Sequence, residues 1–407
     1  MDEIVVGLDI GTTKTCAVIG FENENKLIEI AGVGIAQSKG LKSGNIVNID
    51  STVSAIEKAA ENAESMALQE VTSVYAGISG DHIQGQNSKG IVAITNKNRT
   101  ITSYEVEKVI EAAQAVVIPV DREILHVLTT DFAVDGQWGI DDPIGMSGVR
   151  LEAEVHIVTG SSTSIQNVLK SISKAGYQCE DIVFNPLASA EAVLSKEEKE
   201  LGVVLIDIGG GTTDIIMYLN GGVVFSSVLK VGGIHVTNDI SEGLKCPVDS
   251  AEIIKKKYGC SVIDLVDPSE VIEVPSVGGR PPRNLFRQEL TQIIEPRMTE
   301  IMDMVDHELT RSGKKERLRA GIVLTGGGSM IDGCVEVAEK IFNIPVKIGI
   351  PEDLAGLSGE VSTPQFSNGV GLLKYGIRRN KFKDNRRFKN KKVSFSSRLK
   401  KLLEDYL

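Results

Sequence analysis

Val5 to Ile19 reads VVGLDIGTTKTCAVI, and Val203 to Met217 reads VVLIDIGGGTTDIIM. Each stretch is an apolar strand, Asp-Ile-Gly, a short turn rich in glycine and hydroxyl groups, and a second apolar strand. Two copies of one β-hairpin in a single chain predict duplicated domains whose loops face each other and grip one polyphosphate. Glycine at Gly11 and at Gly209, Gly210 and Gly211 removes the Cβ atoms that would hold phosphate oxygens away from backbone N–H groups. Thr12, Thr13, Thr212 and Thr213 add hydroxyl donors, and Lys14 adds a cation. Asp9, Asp207 and Asp214 would repel bare phosphate, so their placement implies Mg²⁺ and its waters between carboxylate and phosphate. A lone Asp-x-Gly can equally be a tight turn that closes a hairpin. The second copy favours the nucleotide reading.

Further along, Val231-Gly232-Gly233 precedes helical stretches at His235–Leu244 and Ser250–Tyr258. The second of these sets Glu252, Lys255 and Lys256 within little more than a turn, a face able to hydrogen-bond a ribose and lay a lysine stem over a base. An ordinary solvated charge face has the same spacing. A long helix follows at roughly 284–311, and then the strand Ile322–Leu324 runs into Thr325-Gly326-Gly327-Gly328-Ser329. Strand, triple glycine and helix place backbone N–H groups and a helix N-terminus beside an anionic or polar ligand. Neither G-x-x-x-x-G-K-[ST] nor a convincing G-x-G-x-x-G after a strand is present, which argues against P-loop and Rossmann readings.

Between the hairpins the pattern alternates strand and helix: helical spacing at Val53–Ala67, a strand at Val71–Ile78, a helix at Ile165–Ala175. The interval from Gln84 to Gly160 reads as an insertion, with strands near 90–94, 124–134 and 150–159 and a helix at 103–116. It has no phosphate-loop chemistry and is expected to mediate contacts. His126 and Trp138 within it are expected to serve packing.

A chain of 407 residues with 42% hydrophobic content supports two or three cored domains. Cys16, Cys179, Cys246, Cys260 and Cys334 are scattered without ligand spacing and read as buried thiols in a reducing compartment. The acidic start Met1-Asp2-Glu3 runs into the first strand, so no secretory signal is expected, and no apolar run reaches the length of a membrane span.

Charge is uneven. From Arg378 to Lys392 there are nine Lys or Arg against one Asp, in a chain of formal net charge −11. Next, Ser394–Leu407 places Phe395, Leu399, Leu402, Leu403 and Tyr406 on one helical face, opposite Arg398, Lys400, Lys401, Glu404 and Asp405. At about 1.5 Å per residue this helix spans about 20 Å, too short to cross a bilayer and suited to its interface. Basic residues beside anionic lipids contribute on the order of 1 kcal/mol each. Phe395, Arg398, Leu399, Lys400, Leu402, Leu403 and Tyr406 are therefore the candidate membrane contacts. A terminal helix docked on the protein's own core is the alternative, which a flexible charged linker disfavours. Nucleic acid is not an expected partner, because the acidic body opposes a long polyanion.

The three loops, in this order, resemble those of the actin, Hsp70 and sugar-kinase superfamily: Asp9–Thr15, Asp207–Asp214 and Gly326–Ser329, with Ala251-Glu252, Lys255 and Lys256 similar to the adenosine-contacting helix of Hsp70 and bacterial actins. Within it, GLDIGTTKTCAVIG, LGVVLIDIGGGTTDI, VGGIHVTNDI, DSAEIIKKKYG, IIEPRMTEI, AGIVLTGGGSMIDG, the insertion and the tail helix resemble the FtsA family over essentially the whole chain. That resemblance implies an α/β fold of duplicated actin-like (ribonuclease H-like) domains around a nucleotide cleft, with an inserted α+β module and a C-terminal amphipathic helix. It implies residues 1–83, 161–190 and 363–377 as subdomain 1A, 84–160 as 1C, 191–234 and 313–362 as 2A, and 235–312 as 2B. Residues 378–393 would be a basic flexible linker and 394–407 the membrane-targeting helix. It implies ATP as ligand, head-to-tail self-association, the C-terminal peptide of FtsZ as partner, recruitment of later division proteins, and a place on the cytoplasmic face of the bacterial membrane at the division site. By the same resemblance Arg287, Arg297 and Glu300 fall near the peptide site; surface salt bridging is their ordinary role.

Where Hsp70 and the rod-shape actins carry a Glu before Pro to orient water, this chain has Asn185-Pro186, and an amide is no general base. Asp207 and Asp214 remain as water and Mg²⁺ positioners, so ATP hydrolysis is expected to be slow or negligible. A pilus or competence actin relative is the nearer alternative. A sugar-kinase-like enzyme, which needs an acidic base at a sugar cleft, is the further one.

Overall fold

A computed structural model describes residues 4–276 and 281–389. Each predicted hairpin forms the centre of a sheet. Val5–Ile10 pairs antiparallel with Lys14–Glu22, and parallel with Ser73–Ile78 on its other side. Val203–Ile208 likewise pairs antiparallel with Thr213–Leu219 and parallel with Gly321–Thr325. All six residues of both leading strands are buried, as expected for strands covered on both faces. The repeat in sequence is thus a repeat in topology: six strands in the first sheet, five in the second.

Helices cover these sheets. Ile49–Ala67 is started by Asn48, whose side chain accepts from Ser51 N–H at 2.9 Å, and it packs Ala55, Ile56, Ala59 and Ala63 inward. In the second half Val236, Ile240, Leu290, Ile294, Met298 and Ile301 join the strand residues in one apolar core. Aliphatic packing dominates there, in keeping with an aromatic content of only 4%. The long helix is Arg287–Arg311, three residues shorter than the pattern suggested. Its expected first turn is the strand Arg283–Phe286, which pairs with Val271–Val274.

The insertion is a four-stranded antiparallel sheet under the helix Ser103–Ala113, with its own core of Val106, Val109, Ile110, Phe132, Leu151 and Val155. One strand, Gln137–Ile140, escaped the sequence pattern; it turns back from Arg122–Val134 through Asp135-Gly136, both at positive φ. The module leans on the second half. Thr130 Oγ donates to Val223 O at 2.9 Å, and Asn87 Nδ2 donates to Val224 O at 2.9 Å. His156, 2% exposed, joins this seam: burial pushes its imidazole down to about 4, so the ring is neutral, donating to Asn87 Oδ1 at 2.5 Å and accepting from Ser226 Oγ at 2.8 Å. His126 is also buried and accepts Phe184 N–H at 3.0 Å; Trp138 lies under Lys89 at 4.6 Å.

Two expectations about chain organisation change. Leu354–Gly356, assigned by the expected boundaries to the second half, pairs with Ile28–Ile30 in the first sheet, so the chain returns to that half earlier. The second change concerns 378–393. The helix Ser367–Lys389 runs through Arg378 without a break, because no glycine or proline follows Ile377 to stop it and its start is held to the body. Arg378 pairs with Glu191 at 3.3 Å, Arg379 with Asp181 at 3.4 Å, Lys381 with Glu22, and Tyr75 Oη donates to Asn380 Oδ1 at 2.6 Å. The tail candidates Phe395, Arg398, Leu399, Lys400, Leu402, Leu403 and Tyr406 lie outside the described residues. Among those described, no helix is long and apolar enough to cross a membrane. Four cysteines are buried and Cys179 is partly exposed, and none of the five forms a disulfide.

Candidate functional site

The two hairpin turns meet across a cleft of about 460 Å³ between the halves. Gly11 N–H closes the first turn on Lys14 O at 3.0 Å, and Gly209 N–H closes the second on Thr212 O at 2.9 Å. The second turn's apex faces the first turn's threonines: a Cβ on Gly210 would lie 2.6 Å from Thr13 Oγ, and one on Gly211 2.5 Å from Thr12 Oγ. Only glycine allows that approach. Thr12 Oγ accepts Gly44 N–H at 3.0 Å, and Lys14 donates to Gln365 O at 2.5 Å with its ammonium 4.4 Å over Phe366.

Asp9, Asp207 and Asp214 all line this cleft and are nearly buried. Burial raises the Asp9 carboxyl, with Lys14 opposing. Burial also pushes Asp207 to about 6, against a 2.7 Å hydrogen bond donated by Ser189. Asp214 rises to about 8, through burial and then the neighbouring Asp207 charge, against a 2.6 Å hydrogen bond from Ser79. Three carboxyl groups resisting ionisation together are groups a hard divalent cation would bring to the charged form. Among the described residues no three acidic, His or Cys side chains form a ready-made cage. Asp9 and Asp207 offer carboxylate oxygens of the kind Mg²⁺ takes beside phosphate oxygens and its own waters.

The third loop closes the cleft from the second half. Gly326 has φ +83°, and a Cβ there would press on the Asp207 carboxylate and lie 2.6 Å from Ile208 O. Gly326, Gly327 and Gly328 line the cleft, whereas Ser329 is buried and turned back on Gly326 O at 2.8 Å, where it fixes the loop. Glu252, Lys255 and Lys256 form the facing wall. Lys255 is 2.7 Å from Glu252 and donates to Gly233 O at 2.9 Å and Thr237 Oγ at 2.8 Å, so it ties two helices together. Neighbouring cations and hydrogen bonds hold the Glu252 carboxyl low despite burial.

Two residues expected at the nucleotide, Thr213 and Gly232, do not line the cleft, whereas Gly233 does. Thr213 is fully buried and donates to Val231 O at 2.9 Å, since the strand's alternation turns it from the cleft. Gly232 packs on the second hairpin turn, where a Cβ would lie 2.6 Å from Gly209 O. Gly233 N–H is taken by Gly209 O at 2.9 Å and Ile234 N–H by Gly210 O at 2.8 Å, so this helix start cradles the second hairpin turn and its first two N–H groups are spent on it. Sequence reading missed Ser79, Gly44, Gln365, Asn368, Met330 and Asp332, which also line the cleft. Met330 and Asp332 follow directly on the third glycine loop, while Ser79, Gly44, Gln365 and Asn368 carry no motif and arrive from turns and element ends distant in sequence. Asn185 does line it, with its Oδ1 buried and unpartnered.

Arg287, Arg297 and Glu300 do not share one spot. Arg287 fastens the start of the long helix, donating to Tyr258 O at 2.8 Å and pairing with Glu270 at 3.0 Å and the cleft residue Asp332 at 3.3 Å. Arg297 and Glu300 pair with each other, and Arg297 grips Asp239 at 2.6 Å. Ten residues of helix separate the two arginines by about 15 Å.

Comparison with known proteins adds a family to this geometry. A family described as cell division protein FtsA matches residues 204–371, and an SHS2 domain inserted in FtsA matches residues 80–159. The cell division protein FtsA of Pseudomonas aeruginosa is 47% identical over 377 residues, covering 93% of this chain and 90% of its own. That of Borreliella burgdorferi is 42% identical over 401 residues, covering 98% and 97%. Among solved structures, a type IV pilus PilM–PilN biogenesis complex aligns with a TM-score of 0.66 at 16% identity, over 92% of this chain and 98% of that one. Spiroplasma citri MreB5 bound to ADP aligns with a TM-score of 0.55 at 16% identity, over 95% and 98%. These two structures establish an actin-like fold.

Proposed function

This chain belongs to the FtsA family of bacterial cell-division proteins, and we propose that it binds Mg-ATP in the cleft between its halves and uses it to assemble under the cytoplasmic membrane. The observation that carries the reading is the meeting of two phosphate turns, three resistant carboxyls and a third glycine loop around one cavity. Structural neighbours include MreB5 with ADP and with AMPPNP bound, and the cleft between the halves here has donors that suit such a ligand. In the proposed complex the apex of each hairpin and Lys14 would face the phosphates, Asp9 and Asp207 would hold Mg²⁺, and the wall of Glu252, Lys255 and Lys256 would take the nucleoside. When bound, Mg²⁺ would supply charge neutralisation for the phosphates.

ATP favours self-association by ordering the two halves, with little chemistry of its own. Asn185 brings an amide to the position from which a carboxylate would orient water, and an amide accepts no proton. Steady-state turnover is expected well below the 1–100 s⁻¹ of typical kinases, roughly. A phosphate-release assay on polymerising protein checks this, and kinase-like rates would refute the assembly reading.

The tail residues 394–407 hold the protein to anionic lipid, the face bearing Arg297 and Glu300 receives the FtsZ C-terminal peptide, and later division proteins are recruited through the inserted module. Sedimentation with vesicles of mixed neutral and anionic lipid tests the anchor. The comparison chain should end at Lys389 rather than at Ile377, because the shorter cut removes the Arg378 and Arg379 pairs that dock the last helix. Full-length protein is expected in the pellet and the shortened chain in the supernatant; equal pelleting removes the tail from the mechanism. Added FtsZ tail peptide should bind both forms equally, and Arg297→Glu should weaken it by roughly tenfold, the worth of one lost charged hydrogen bond.

A further inference from the structure

A four-residue bridge joins the cleft to the inserted module. Ser79, 7% exposed, follows the strand Ser73–Ile78 of the first half and donates its hydroxyl to Asp214 Oδ1 of the second half at 2.6 Å. Two residues on, Asp81 accepts from Lys230 of the second half at 2.7 Å and from Asn45 at 2.8 Å, and the Lys230 ammonium holds its carboxyl low. The next residue, His82, meets both far roots of the insertion. Its carbonyl accepts Arg122 Nη2 at 2.8 Å, where the strand Arg122–Val134 begins. Its ring nitrogen accepts Ser161 N–H at 3.3 Å, where the strand Arg150–Ser161 ends. Gln84 then opens the insertion's first strand.

We propose that Ser79 is a positioning residue through which the second phosphate loop sets the orientation of the inserted module, an inference that rests on the cleft being the nucleotide site. Asp214 lines the cleft, so any ligand that repositions its carboxylate moves the acceptor of the Ser79 hydrogen bond. The bridge is too short to absorb the displacement. It is clamped to the second half by Asp81–Lys230, and beyond that clamp its next residue holds the roots of the insertion's strands through its carbonyl, bound by the Arg122 side chain, and through its ring, bound by Ser161 N–H. Movement at Asp214 is therefore delivered to the root of a module whose outer strands lie far from any phosphate. The class of signal is the charge state of the site: a polyphosphate with its cation against an empty or diphosphate-filled cleft.

Amide hydrogen exchange on the full chain, with and without Mg-ATP, tests the link, alongside titration of a fluorescent ATP analogue. In the unaltered protein Mg-ATP is expected to slow exchange in Gln84–Ala93 and Arg150–Ser161. Ser79→Ala should bind the nucleotide more weakly by roughly three- to tenfold, as for loss of one hydrogen bond, and should lose the ATP-dependent slowing in those strands. Ser79→Thr, which keeps the hydroxyl, should restore it; loss of packing alone would give no such rescue. Asp81→Asn, outside the phosphate site, should reduce the slowing with binding little changed, and it stands in if Ser79→Ala does not fold. The proposal is overturned if Ser79→Ala keeps the full ATP-dependent slowing. It is also overturned if the unaltered protein binds the nucleotide with no change in the insertion, a result that leaves the nucleotide reading standing. Absence of nucleotide binding by the unaltered protein would instead remove that reading and this one with it.

Discussion

Gly326→Ala is expected to weaken nucleotide binding on the order of 100-fold, because the added methyl group has no room and the wrong backbone. At φ +83° an L-residue carries a strain of about 1–2 kcal/mol. The new Cβ would also press against the Asp207 carboxylate and Ile208 O, and relieving such overpacking costs about 1–3 kcal/mol. Since the loop must retreat from Asp207 or push it aside, the loss falls on the site itself. Gly327→Ala is the control: its Cβ would meet nothing nearer than Gln365 Cβ at 3.9 Å, and binding should stay within a few-fold of the unaltered protein. Titration with a fluorescent ATP analogue reads both. Equal affinity in Gly326→Ala would take the third loop out of the nucleotide site.

The second large effect is acid sensitivity at the seam between the insertion and the second half. His156 is buried neutral with its ring held down to about 4, whereas an unfolded histidine titrates near 6.5. Between those values the unfolded chain takes up a proton that the folded chain refuses. Stability from this group is therefore complete above about pH 6.5 and is lost as pH falls toward 4. At about 1.4 kcal/mol per tenfold difference in proton affinity, the loss is about 3 kcal/mol. His156→Gln removes the titrating ring, so the stability advantage of the unaltered protein over the variant should shrink by that amount from pH 7 to pH 4 in urea unfolding. A constant gap would show that the ring is charged or exposed in the folded protein. Asp214 runs the other way. Its carboxyl is raised to about 8, so its contribution is present at low pH and lost as pH rises through that value, until a cation takes the proton's place. Comparison with the variant isolates the histidine from this opposing slope.

Much of this arrangement was legible in the sequence, and the boundary of legibility has a physical cause. The hairpins, the third glycine loop and the wall of Glu252, Lys255 and Lys256 are local patterns, and local patterns carry their own geometry. Ser79, Asn368 and Gln365 reach the same cleft only because distant strands and helices end there, and nothing in their neighbours in sequence marks them. Thr213 was misplaced by one residue of strand alternation: its neighbour Thr212 lines the cleft, while Thr213 points into the sheet. The strand Gln137–Ile140 had a signal, Asp135-Gly136, that a hairpin reading would have used. Basic composition misled at 378–389, since high charge was read as a flexible linker while the absence of glycine and proline left the helix free to continue.

That continuous helix alters what the end of the chain can transmit. A tether conveys only distance: it limits how far a body can drift and leaves its tilt unconstrained. The helix Ser367–Lys389 is pinned at Arg378, Arg379 and Lys381 and then projects through eight more residues, about 12 Å at 1.5 Å per residue. It is a lever with a fixed root, so whatever grips the chain beyond Lys389 acts with leverage on Glu191 and Asp181. Glu191 sits on the helix Asn185–Val193, whose first residue lines the cleft. Tilt imposed from outside therefore has a stiff route to Asn185 at the cleft, and a shift of that helix has the same route out.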